Sequence, residues 1–554
     1  MSIWIIIVHL NALFIYLANS TPYMGNEEAS AHSGRVEIHG KTMVSKNHKN
    51  QSEKKRFEVR SLSLDPSVIY DKKNMMQNIS QMLRNPKHSN GIVADGVSRI
   101  LIVTNYDSQL KFSVTGPSNI DYGSLISIND ANAPKSNSIV ADPINFKHQR
   151  KDSVVAVIYE GPHYVDIKKN TEHLGVTISV SDIKNKYIQE NIIIKVYRVP
   201  IILVHGVWSS PFWSWEVTGF KEFLERHGFC ISMVDYEDYN DKTFDPNAEP
   251  KIGNQAIAAL KSNIQEVLEE HNKKNISASQ VDIVAHSMGG LIARGLCQQN
   301  GYKAIENYMK GQIRRLITIG TPHFGAGLSG RLYRQKDNWY SFKQQDNIVT
   351  FTALWNSNYD KDSDYKTSQL KEIYSSTPTP TRIDEGAIES LAPCSAAYSN
   401  LLPTNVKSYA IAGSWKPYAT MSQEDLEEYY RNILGDPFFS LDKDGFNGEN
   451  DLQVSVSSQL GGLDGKCRRS VDKNPPKYGA IYENTLHASW YKKDDNDKVI
   501  GELQSCLIRE DIVDLLGSSD DYFADLIGSF SDTHGLANKN INEKTYSKPD
   551  SNIR

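Results

Sequence analysis

A serine stands at position 287, between a short apolar run and a glycine-rich stretch. Val281, Ile283 and Val284 predict a buried strand, and a helical pattern begins at Leu291. The chain must turn sharply between the two, so the hydroxyl of Ser287 is directed outward at the N-terminus of the next helix. Backbone N–H groups and the helix dipole favour a developing negative charge at that place. Ser287 is therefore a candidate nucleophile, and an ordinary turn is the alternative interpretation.

The residues around this serine resemble the nucleophile elbow of the α/β-hydrolases, which is usually written Gly-x-Ser-x-Gly. Gly289 keeps the second glycine of the pattern, whereas Ala285 replaces the first. Some lipases of the superfamily carry the same Ala-His-Ser-Met-Gly form, so the departure narrows the resemblance to the lipases and esterases. The resemblance implies an α/β-hydrolase fold, in which a mostly parallel sheet is doubly wound by helices.

A serine hydroxyl is a poor nucleophile at neutral pH and needs a base that a carboxylate orients. In the α/β-hydrolases the acid follows the serine along the chain and the histidine comes last, each after a strand. Asp451 lies in an Asp-x-x-Val…Ser-Ser pattern after a predicted strand at 406–413, and Asp442 and Asp444 are its alternatives. His487 follows and is the candidate base. The resemblance therefore implies a Ser–Asp–His catalytic triad.

A fully apolar run from Ile201 to Val204 precedes the pair His205-Gly206. Such a run is typical of a parallel strand that is buried on both faces. In hydrolases of this fold, the loop after this strand donates one of the two N–H groups of the oxyanion hole. By resemblance we assign the two donors to Val207 and Met288.

Other histidines lie close to these candidates. We interpret His205, His286 and His323 as pocket or packing residues and not as the base. His534 is the only histidine after the candidate base, and it lies in a tail rich in Ser, Asp and Gly.

Aromatic residues follow the predicted oxyanion loop and the strand after the elbow. Trp208, Phe212 and Phe324 are the candidate substrate-binding residues, with an apolar acyl chain as the ligand and a core position as the alternative. Phe324 belongs to Thr321-Pro-His-Phe-Gly, which resembles the corresponding strand end of lipases and related esterases. Residues 326–404 then interrupt the alternation of strands and helices. They predict a lid-like insertion, and a surface excursion without a gating role is equally compatible.

Strands and helices alternate along this part of the chain, as a doubly wound sheet requires. Periodicity predicts strands over 201–204, 229–234, 281–284, 315–320 and 406–413, and helices over 220–226, 254–270 and 499–516.

Residues 91–198 have a different texture, in which short β-rich runs recur between turn signals. About seven strands without long helices predict a β-sandwich. The segment from Val93 to Ser98 resembles the first strand of immunoglobulin-like domains in bacterial surface proteins. Such a domain either braces the enzyme or contacts a membrane or cell surface.

The N-terminal segments carry targeting and linker signals. Residues 1–20 read as an export signal because Ile3 to Leu17 is mostly apolar, and an uncleaved anchor is the alternative. Residues 21–90 are rich in Ser, Asn and Lys and predict a flexible leader, with helical character around 75–83. Residues 518–554 form a polar tail.

Composition sets outer bounds on these interpretations. A chain of 554 residues is too long for a single core. Its 39% of hydrophobic residues indicates a globular protein, and its net charge of −5 does not indicate a nucleic-acid partner. The five cysteines form no Cys-x-x-Cys pair, and the cluster at 442–445 lacks the EF-hand spacing, so no metal site and no cofactor are predicted.

Residues 199–517 are thus identified by resemblance as an α/β-hydrolase of the lipase and esterase group. Bacterial triacylglycerol lipases and inositol-deacylase-like proteins are in the branch it resembles. The resemblance implies a secreted or cell-surface serine hydrolase that acts on lipid-like acyl esters. A thioesterase, an amidase or a peptidase with the same triad is an alternative. Another alternative is a surface-binding protein with an inert hydrolase fold.

Overall fold

The computed structural model of the chain describes residues 57–70, 74–116, 121–128, 134–145, 153–166, 171–185, 187–207, 209–248, 254–327, 329–330, 386–414, 449–451, 453–469, 472–487 and 500–529. The predicted export signal, the leader up to residue 56, most of the lid-like insertion and residues 530–554 of the predicted polar tail lie outside these ranges. Residues 518–529 also belong to that predicted tail, but Phe523 and Ile527 are buried and Ile527 pairs with Thr404, so the packed part of the chain extends beyond residue 517. Within them, no helix combines the length and the apolar character that a bilayer span requires.

The strands of the first part of the chain are β1 (Val59–Ser63), β2 (Gly91–Val93), β3 (Arg99–Asn105), β4 (Leu110–Thr115), β5 (Ser124–Ser127), β6 (Ser138–Ala141), β7 (Ile144–Asn145), β8 (Ser153–Glu160), β9 (His173–Asp182) and β10 (Gln189–Tyr197). Those of the second part are β11 (Ile201–Val204), β12 (Ile231–Met233), β13 (Ile276–Ser277), β14 (Val281–His286), β15 (Ile313–Ile319), β16 (Lys407–Ser414), β17 (Lys466–Cys467), β18 (Gly479–Glu483), β19 (Thr485–Leu486) and β20 (Ile500–Gly501).

The α-helices are α1 (Pro66–Tyr70), α2 (Met75–Arg84), α3 (Phe220–Arg226), α4 (Gln255–Lys273), α5 (Met288–Leu296), α6 (Ala387–Leu391), α7 (Ala396–Asn400), α8 (Val456–Leu460) and α9 (Cys506–Gly517). Short 3₁₀ helices lie at Glu237–Tyr239, Ile305–Asn307, Glu502–Gln504 and Asp520–Tyr522, and a π-helical turn lies at Phe212–Glu216.

The first part of the chain forms two sheets that share one core. One sheet has the order β1-β3-β8-β5, with β7 beside β8, and the other has the order β13-β2-β10-β9-β4-β6. Leu110, Phe112 and Val114 alternate along β4 and are buried, as one face of a sandwich requires. They pack in one cluster with Val155 and Val157 of the opposite sheet. The predicted β-sandwich is therefore present, and its immunoglobulin-like character stays a prediction.

Residues 57–90 differ from the flexible leader that the sequence indicates. Strand β1 pairs antiparallel with β3, and Met75 and Ile79 of α2 pack on Leu101 at the outer face of that sheet. The physical reason is that β3 and β8 are buried on both faces, so the outer face needs a cover of its own. The composition of residues 57–90 did not reveal this packing. A few apolar side chains are enough to cover the outer face of the sheet, so the segment as a whole remains polar.

The second part of the chain forms a seven-stranded parallel sheet with the order β12-β11-β14-β15-β16-β18-β17. Strands β11 and β14 are buried along their whole length. Helices α4 and α5 pack on one face of the sheet, and α3 and α9 pack on the other. This is the α/β-hydrolase fold, with the helix-covered strands that apolar runs predict.

Element bounds follow the predictions closely in the middle of the fold and less well at its end. Helix α9 begins only at Cys506, because the residues before it form β20 and a 3₁₀ turn. After the insertion, Ala387, Leu391 and Leu401 return to the core beside α4 and α5.

The two parts are joined by more than the linker. Strand β13 lies between α4 and β14 in the sequence, yet it pairs in parallel with β2 of the sandwich. The carboxylate of Asp95 accepts hydrogen bonds from the N–H groups of Ser279 and Gln280 at 3.1 and 3.2 Å. Arg314 donates to Asp282 and to the carbonyl of Ala94. The sandwich is therefore built into one side of the hydrolase fold.

Candidate active site

Ser287 lies between the end of β14 and the start of α5, in a backbone conformation that L-residues seldom adopt. Its φ is 54° and its ψ is −130°. The residue is held there because its N–H donates to the carbonyl of Ile319 on β15 at 2.9 Å. Such backbone strain is found most often at functional sites. The sharp turn expected from the sequence is thus present at this serine.

Close packing of α5 over the sheet explains the glycine after the elbow. A Cβ on Gly289 would come within 2.5 Å of the carbonyl oxygen of Val204 and 2.6 Å of that of His205. Both contacts are with backbone, so a side chain would push the helix away from β11. Ala285, which replaces the first glycine of the elbow pattern, is fully buried and fits within the core.

Ser287, His487 and Asp451 form one hydrogen-bonded chain. The Nε2 atom of His487 lies 2.9 Å from Ser287 Oγ, and its Nδ1 lies 2.7 Å from Asp451 Oδ2. A carboxylate only accepts, so Nδ1 carries the proton and Nε2 accepts from the serine hydroxyl. All three residues are buried. The structure therefore brings together the three residues selected from the sequence, although they come from three distant segments.

The loop of Asp451 is itself ordered by hydrogen bonds. Asp451 Oδ1 accepts from the N–H groups of Gln453 and Val454 at 2.9 and 2.7 Å. The carbonyl of Asp451 accepts from the N–H of His487 at 3.2 Å. Acid and histidine are thus bonded through backbone as well as side chain. The alternative acids, Asp442 and Asp444, lie outside the described residues.

The two predicted oxyanion donors are near Ser287 in different ways. Met288 is the next residue in the chain, and the loop that carries Val207 is close in space. Met288 is the first residue of α5, and the first N–H groups of a helix have no partner within it. The loop of Val207 passes against the serine, since a Cβ on Gly206 would lie 2.7 Å from Ser287 Cβ. The assignment of the two donors stays a prediction.

The three neighbouring histidines are buried and neutral. Burial lowers the pKa of His286 to about 3 and that of His205 to about 4, and it lowers the pKa of His323 well below its usual value. His286 Nε2 donates to the carbonyl of His487 at 3.0 Å. His205 stacks on Tyr236 at 3.9 Å between ring centroids. They pack around the site, and none takes the place of His487 beside the serine.

Glu502 is a site residue that the sequence analysis missed. It is fully buried, and its Oε2 lies 3.8 Å from His487 Nδ1 and 3.3 Å from His286 Nε2. Burial, and secondarily the charge of Asp451, raises the pKa of the Glu502 carboxyl well above its usual value. It sits in a segment that periodicity assigns to a helix, and no local signal distinguishes it there.

His286, His487 and Glu502 each have a potential metal-ligand atom, all within 4.8 Å of one another. Both ring nitrogens of His487 already have partners, Ser287 and Asp451, and His286 Nε2 donates to a carbonyl. We therefore interpret the three as buried polar neighbours and identify none of them as a metal ligand.

The predicted substrate-binding residues have different surroundings. Phe212 lies in the π-helical turn, is 53% exposed and packs edge-on against Trp213. Phe324 is half-buried, and its N–H donates to Ser458 Oγ at 3.0 Å. Trp208 lies outside the described residues. Their role in binding stays a prediction.

Comparison with known protein families gives one match to this part of the chain. The model of a family described as palmitoyl protein thioesterase matches residues 200–375. The match includes Ser287 and the oxyanion loop and ends before Asp451 and His487. A search of curated proteins finds no match.

Several solved structures are similar to part of this chain. The mature lipase BlEst2 of Bacillus licheniformis is 17% identical over 58% of this chain and 92% of its own, with a TM-score of 0.28. Phospholipase PlaB of Legionella pneumophila is 12% identical over 58% of this chain and 61% of its own, with a TM-score of 0.33. The Pyrococcus furiosus esterase Pf2001 is 12% identical over 64% and 90%, with a TM-score of 0.23.

Two features of the fold and the family match together indicate the superfamily of this part of the chain. The parallel sheet has seven strands, and the strained serine lies where β14 meets α5. With the match over residues 200–375, these features identify this part of the chain as a member of the α/β-hydrolase superfamily.

Proposed function

We propose that the chain is a serine hydrolase that cleaves acyl esters, with Ser287 as the nucleophile, His487 as the general base and Asp451 as the orienting acid. The observation that carries the proposal is the continuous hydrogen-bonded chain from Ser287 Oγ through His487 to Asp451. This is the geometry that acyl transfer by a serine requires.

In the first half-reaction, Ser287 Oγ attacks the carbonyl carbon of the substrate while its proton moves to His487 Nε2. The oxyanion of the tetrahedral intermediate accepts from the N–H groups of Met288 and Val207, each worth about 3 kcal/mol at comparable sites. The carbon–oxygen bond to the alcohol then breaks, and the leaving alkoxide takes the proton from Nε2. The product is an acyl-enzyme on Ser287.

In the second half-reaction, water attacks the acyl-enzyme. His487 Nε2 accepts the proton of the water and returns it to Ser287 Oγ as the acid leaves. Asp451 keeps the proton on Nδ1 throughout and stabilises the imidazolium when it forms.

A thioester is the second candidate for the substrate bond. The family match, whose description names a palmitoyl protein thioesterase, supports it. The mechanism is unchanged, except that a thiolate leaves in place of an alkoxide. The aromatic residues Phe212 and Trp213 beside the oxyanion loop support an apolar acyl chain in both cases.

Labelling with a fluorophosphonate tests the nucleophile. The wild-type protein should react, and Ser287→Ala should not. Ser455→Ala provides a matched control, because that serine caps α8 and has no part in the proposed mechanism. An unlabelled wild type that still binds a surface ligand would favour the binding-protein alternative.

A substrate panel then separates the reaction classes. p-Nitrophenyl esters of graded chain length, acyl thioesters of the same lengths and amide analogues are compared by kcat/KM. We expect hydrolysis of esters or thioesters, with long acyl chains preferred. Faster cleavage of the amides would indicate a peptidase or an amidase.

We further propose that the protein is exported and that the insertion at residues 326–404, apart from its buried return to the core, provides a lid. The apolar run from Ile3 to Leu17 supports export. Sequencing the N-terminus of the protein from its source tests it, since cleavage after Ser20 is expected. Deletion of residues within the insertion should change the dependence of activity on chain length if the segment covers the acyl site.

A further inference from the structure

Glu502 is the buried carboxyl that the proposed mechanism does not use. Its Oε1 accepts from the N–H of Gly413 at 3.0 Å. Its Oε2 is buried and, as an ionised acceptor, has no partner among the described residues. His286 Nε2 lies 3.3 Å from it, but that N–H donates to the carbonyl of His487. An ionised Glu502 would therefore be poorly satisfied, and burial of an unpaired charge is costly.

The carboxyls of Glu502 and Asp451 converge on one atom, His487 Nδ1, at 3.8 and 2.7 Å. Both also lie beside Gly413, since an added Cβ there would be 2.6 Å from Glu502 Oε1 and 3.3 Å from Asp451 Cβ. Two buried carboxylates beside the same imidazole nitrogen cannot both be ionised at low cost, so one of them keeps a proton. Asp451 accepts from Gln453, Val454 and His487. Within the described ranges, Glu502 accepts from Gly413 alone. More donors stabilise the charge on Asp451, so the proton belongs to Glu502. The raised pKa of Glu502 agrees with this distribution.

The titratable side chains that face Glu502 among the described residues are Asp451, His286 and His487. Burial keeps His286 neutral. No lysine or arginine forms an ion pair with Glu502 in the described part of the chain, so no permanent cation offsets a second negative charge.

The fold leaves space for this carboxyl at the ends of two strands. A Cβ on Gly320, after β15, would lie 2.2 Å from Glu502 Oε2 and 2.8 Å from His487 Nδ1. A Cβ on Gly413, in β16, would lie 2.6 Å from Oε1. Any larger residue at either position would displace Glu502 from the site.

We propose that Glu502 is a positioning residue, a neutral acid whose O–H donates to the carboxylate of Asp451 and holds it against His487. The inference rests on the proposed function and deepens it, because it assigns the charge of the site. The pair carries one negative charge, located on Asp451. Glu502 does not touch the substrate and acts through Asp451.

Glu502 Oε2 lies 3.8 Å from His487 Nδ1, near enough to become its partner when Asp451 is replaced. When Asp451 loses its carboxylate, the repulsion that keeps Glu502 protonated disappears. Glu502 then ionises and becomes the partner of His487. The effect of a change at Glu502 should therefore depend on whether Asp451 is present.

The first experiment compares Glu502→Gln with Glu502→Leu in pH profiles of kcat and KM. Glutamine retains an uncharged donor, and leucine does not. Loss of a hydrogen bond to a charged group should lower kcat of Glu502→Leu by about tenfold or more, with KM unchanged. Glutamine should recover most of this loss and keep the acid limb of kcat/KM where the wild type has it. Glu160→Gln, at a buried glutamate of the sandwich, is the matched control and should alter stability alone.

The proposal is overturned if Glu502→Gln moves the acid limb by about one pH unit or more to lower pH, because glutamate would then be the charged form. It is also overturned if glutamine and leucine lower kcat equally. If the leucine variant does not fold, the pH profile of Glu502→Gln alone decides.

The second experiment repeats Glu502→Gln in the Asp451→Ala background. We expect about a tenfold or larger loss of the residual kcat, against a small loss in the wild-type background. Equal effects in both backgrounds would contradict the exchange of roles. A purely structural residue would not produce this dependence.

A readout that does not need activity separates this inference from the proposed function. The infrared carbonyl band of a protonated carboxylic acid should be present in the wild type and lost in Glu502→Gln. An inactive, unlabelled wild type that keeps this band would refute the hydrolase and leave the neutral acid intact. An active wild type without the band would refute the neutral acid.

Discussion

At the scale of single residues, His487 lies between a carboxyl with several hydrogen-bond donors and a group of buried, neutral histidines. The carboxylate of Asp451 accepts hydrogen bonds from N–H groups of its own loop and from His487. Burial holds His205, His286 and His323 uncharged. Cations beside the proposed base would repel the imidazolium that forms when Ser287 attacks the substrate, and these neutral histidines add no such repulsion.

Gly320 offers a test of how tightly the residues around His487 are packed. Gly320→Ala should destabilise the fold by about 1 kcal/mol or more because its φ is +59°. It should also lower kcat at least tenfold, because the new Cβ overlaps Glu502 and His487. Gly301→Ala is the matched control: its φ is +79°, yet nothing lies within 4 Å of the added Cβ. Equal activity in the two variants, measured beside their melting temperatures, would contradict this account.

The buried histidines should also shape the dependence of stability on pH. His205 has a pKa of about 4 in the folded protein and 6.5 as its ordinary value, so the unfolded chain binds the extra proton first. This histidine therefore contributes stability that is lost as pH falls from about 6.5 to 4, by up to about 1.4 kcal/mol per pH unit.

His205→Phe keeps the stacked ring on Tyr236 and cannot titrate. Its unfolding free energy, measured by denaturant titration, should fall less steeply between pH 6.5 and 4 than that of the wild type. Parallel curves for the two proteins would show that this histidine is not the source of the slope.

At the scale of elements, the site depends on how near α5 lies to the strand ends. The serine conformation, the N-terminal N–H groups of α5 and the loop after β11 meet only because the helix crosses β11 at backbone contact distance. Gly289 makes this approach possible, because a Cβ at this position would collide with two carbonyl oxygens.

Gly289→Ala should therefore destabilise the protein by about 1–3 kcal/mol and lower activity, because backbone cannot move aside as a side chain can. Gly517→Ala, at the end of α9, is the control with nothing within 4 Å of the new Cβ. It should be neutral or slightly stabilising. Chemical denaturation of both variants, with the rate of fluorophosphonate labelling, measures the difference.

At the scale of the whole molecule, the β-sandwich and the hydrolase fold share hydrogen bonds that cross between them. Strand β13 extends the sandwich sheet from the hydrolase side. Asp95 accepts from N–H groups on both sides, Val97 and Ser98 in the sandwich and Ser279 and Gln280 beyond it. We therefore expect the two parts to unfold together.

Asp95→Ala tests this coupling. The change leaves several buried donors without an acceptor and should cost about 3 kcal/mol or more. Calorimetry should show one transition for the wild type and two separated transitions for Asp95→Ala. Asp182→Ala is the control, because Asp182 makes the same kind of contacts within the sandwich only, with Tyr106, Lys184 and Asn185. It should lower the single transition without splitting it. Two transitions in the wild type would contradict the shared unit.

Local patterns in the sequence determined the hydrolase part of the fold. The apolar runs at 201–204 and 281–284 are strands that helices cover on both faces. Consecutive residues of such a strand are all buried and apolar, so the pattern can be recognised in the sequence. Ser287 was recognisable because a tight turn between strand and helix demands glycine within a few residues. Asp451 and His487 were predicted from chain order and resemblance, and the tertiary structure brings them within hydrogen-bond distance.

Only the tertiary structure decided what depends on contacts between distant segments. Residues 57–90 look like a leader in composition, but they cover a sheet face whose strands lie further along the chain. Glu502 looks like one polar residue of a helix, and its neighbours Asp451 and His487 come from other loops. The join between sandwich and hydrolase likewise depends on β13 pairing with β2. Periodicity indicates which residues of one element are buried. The protonation of a buried carboxyl depends on neighbours that meet only in the folded chain.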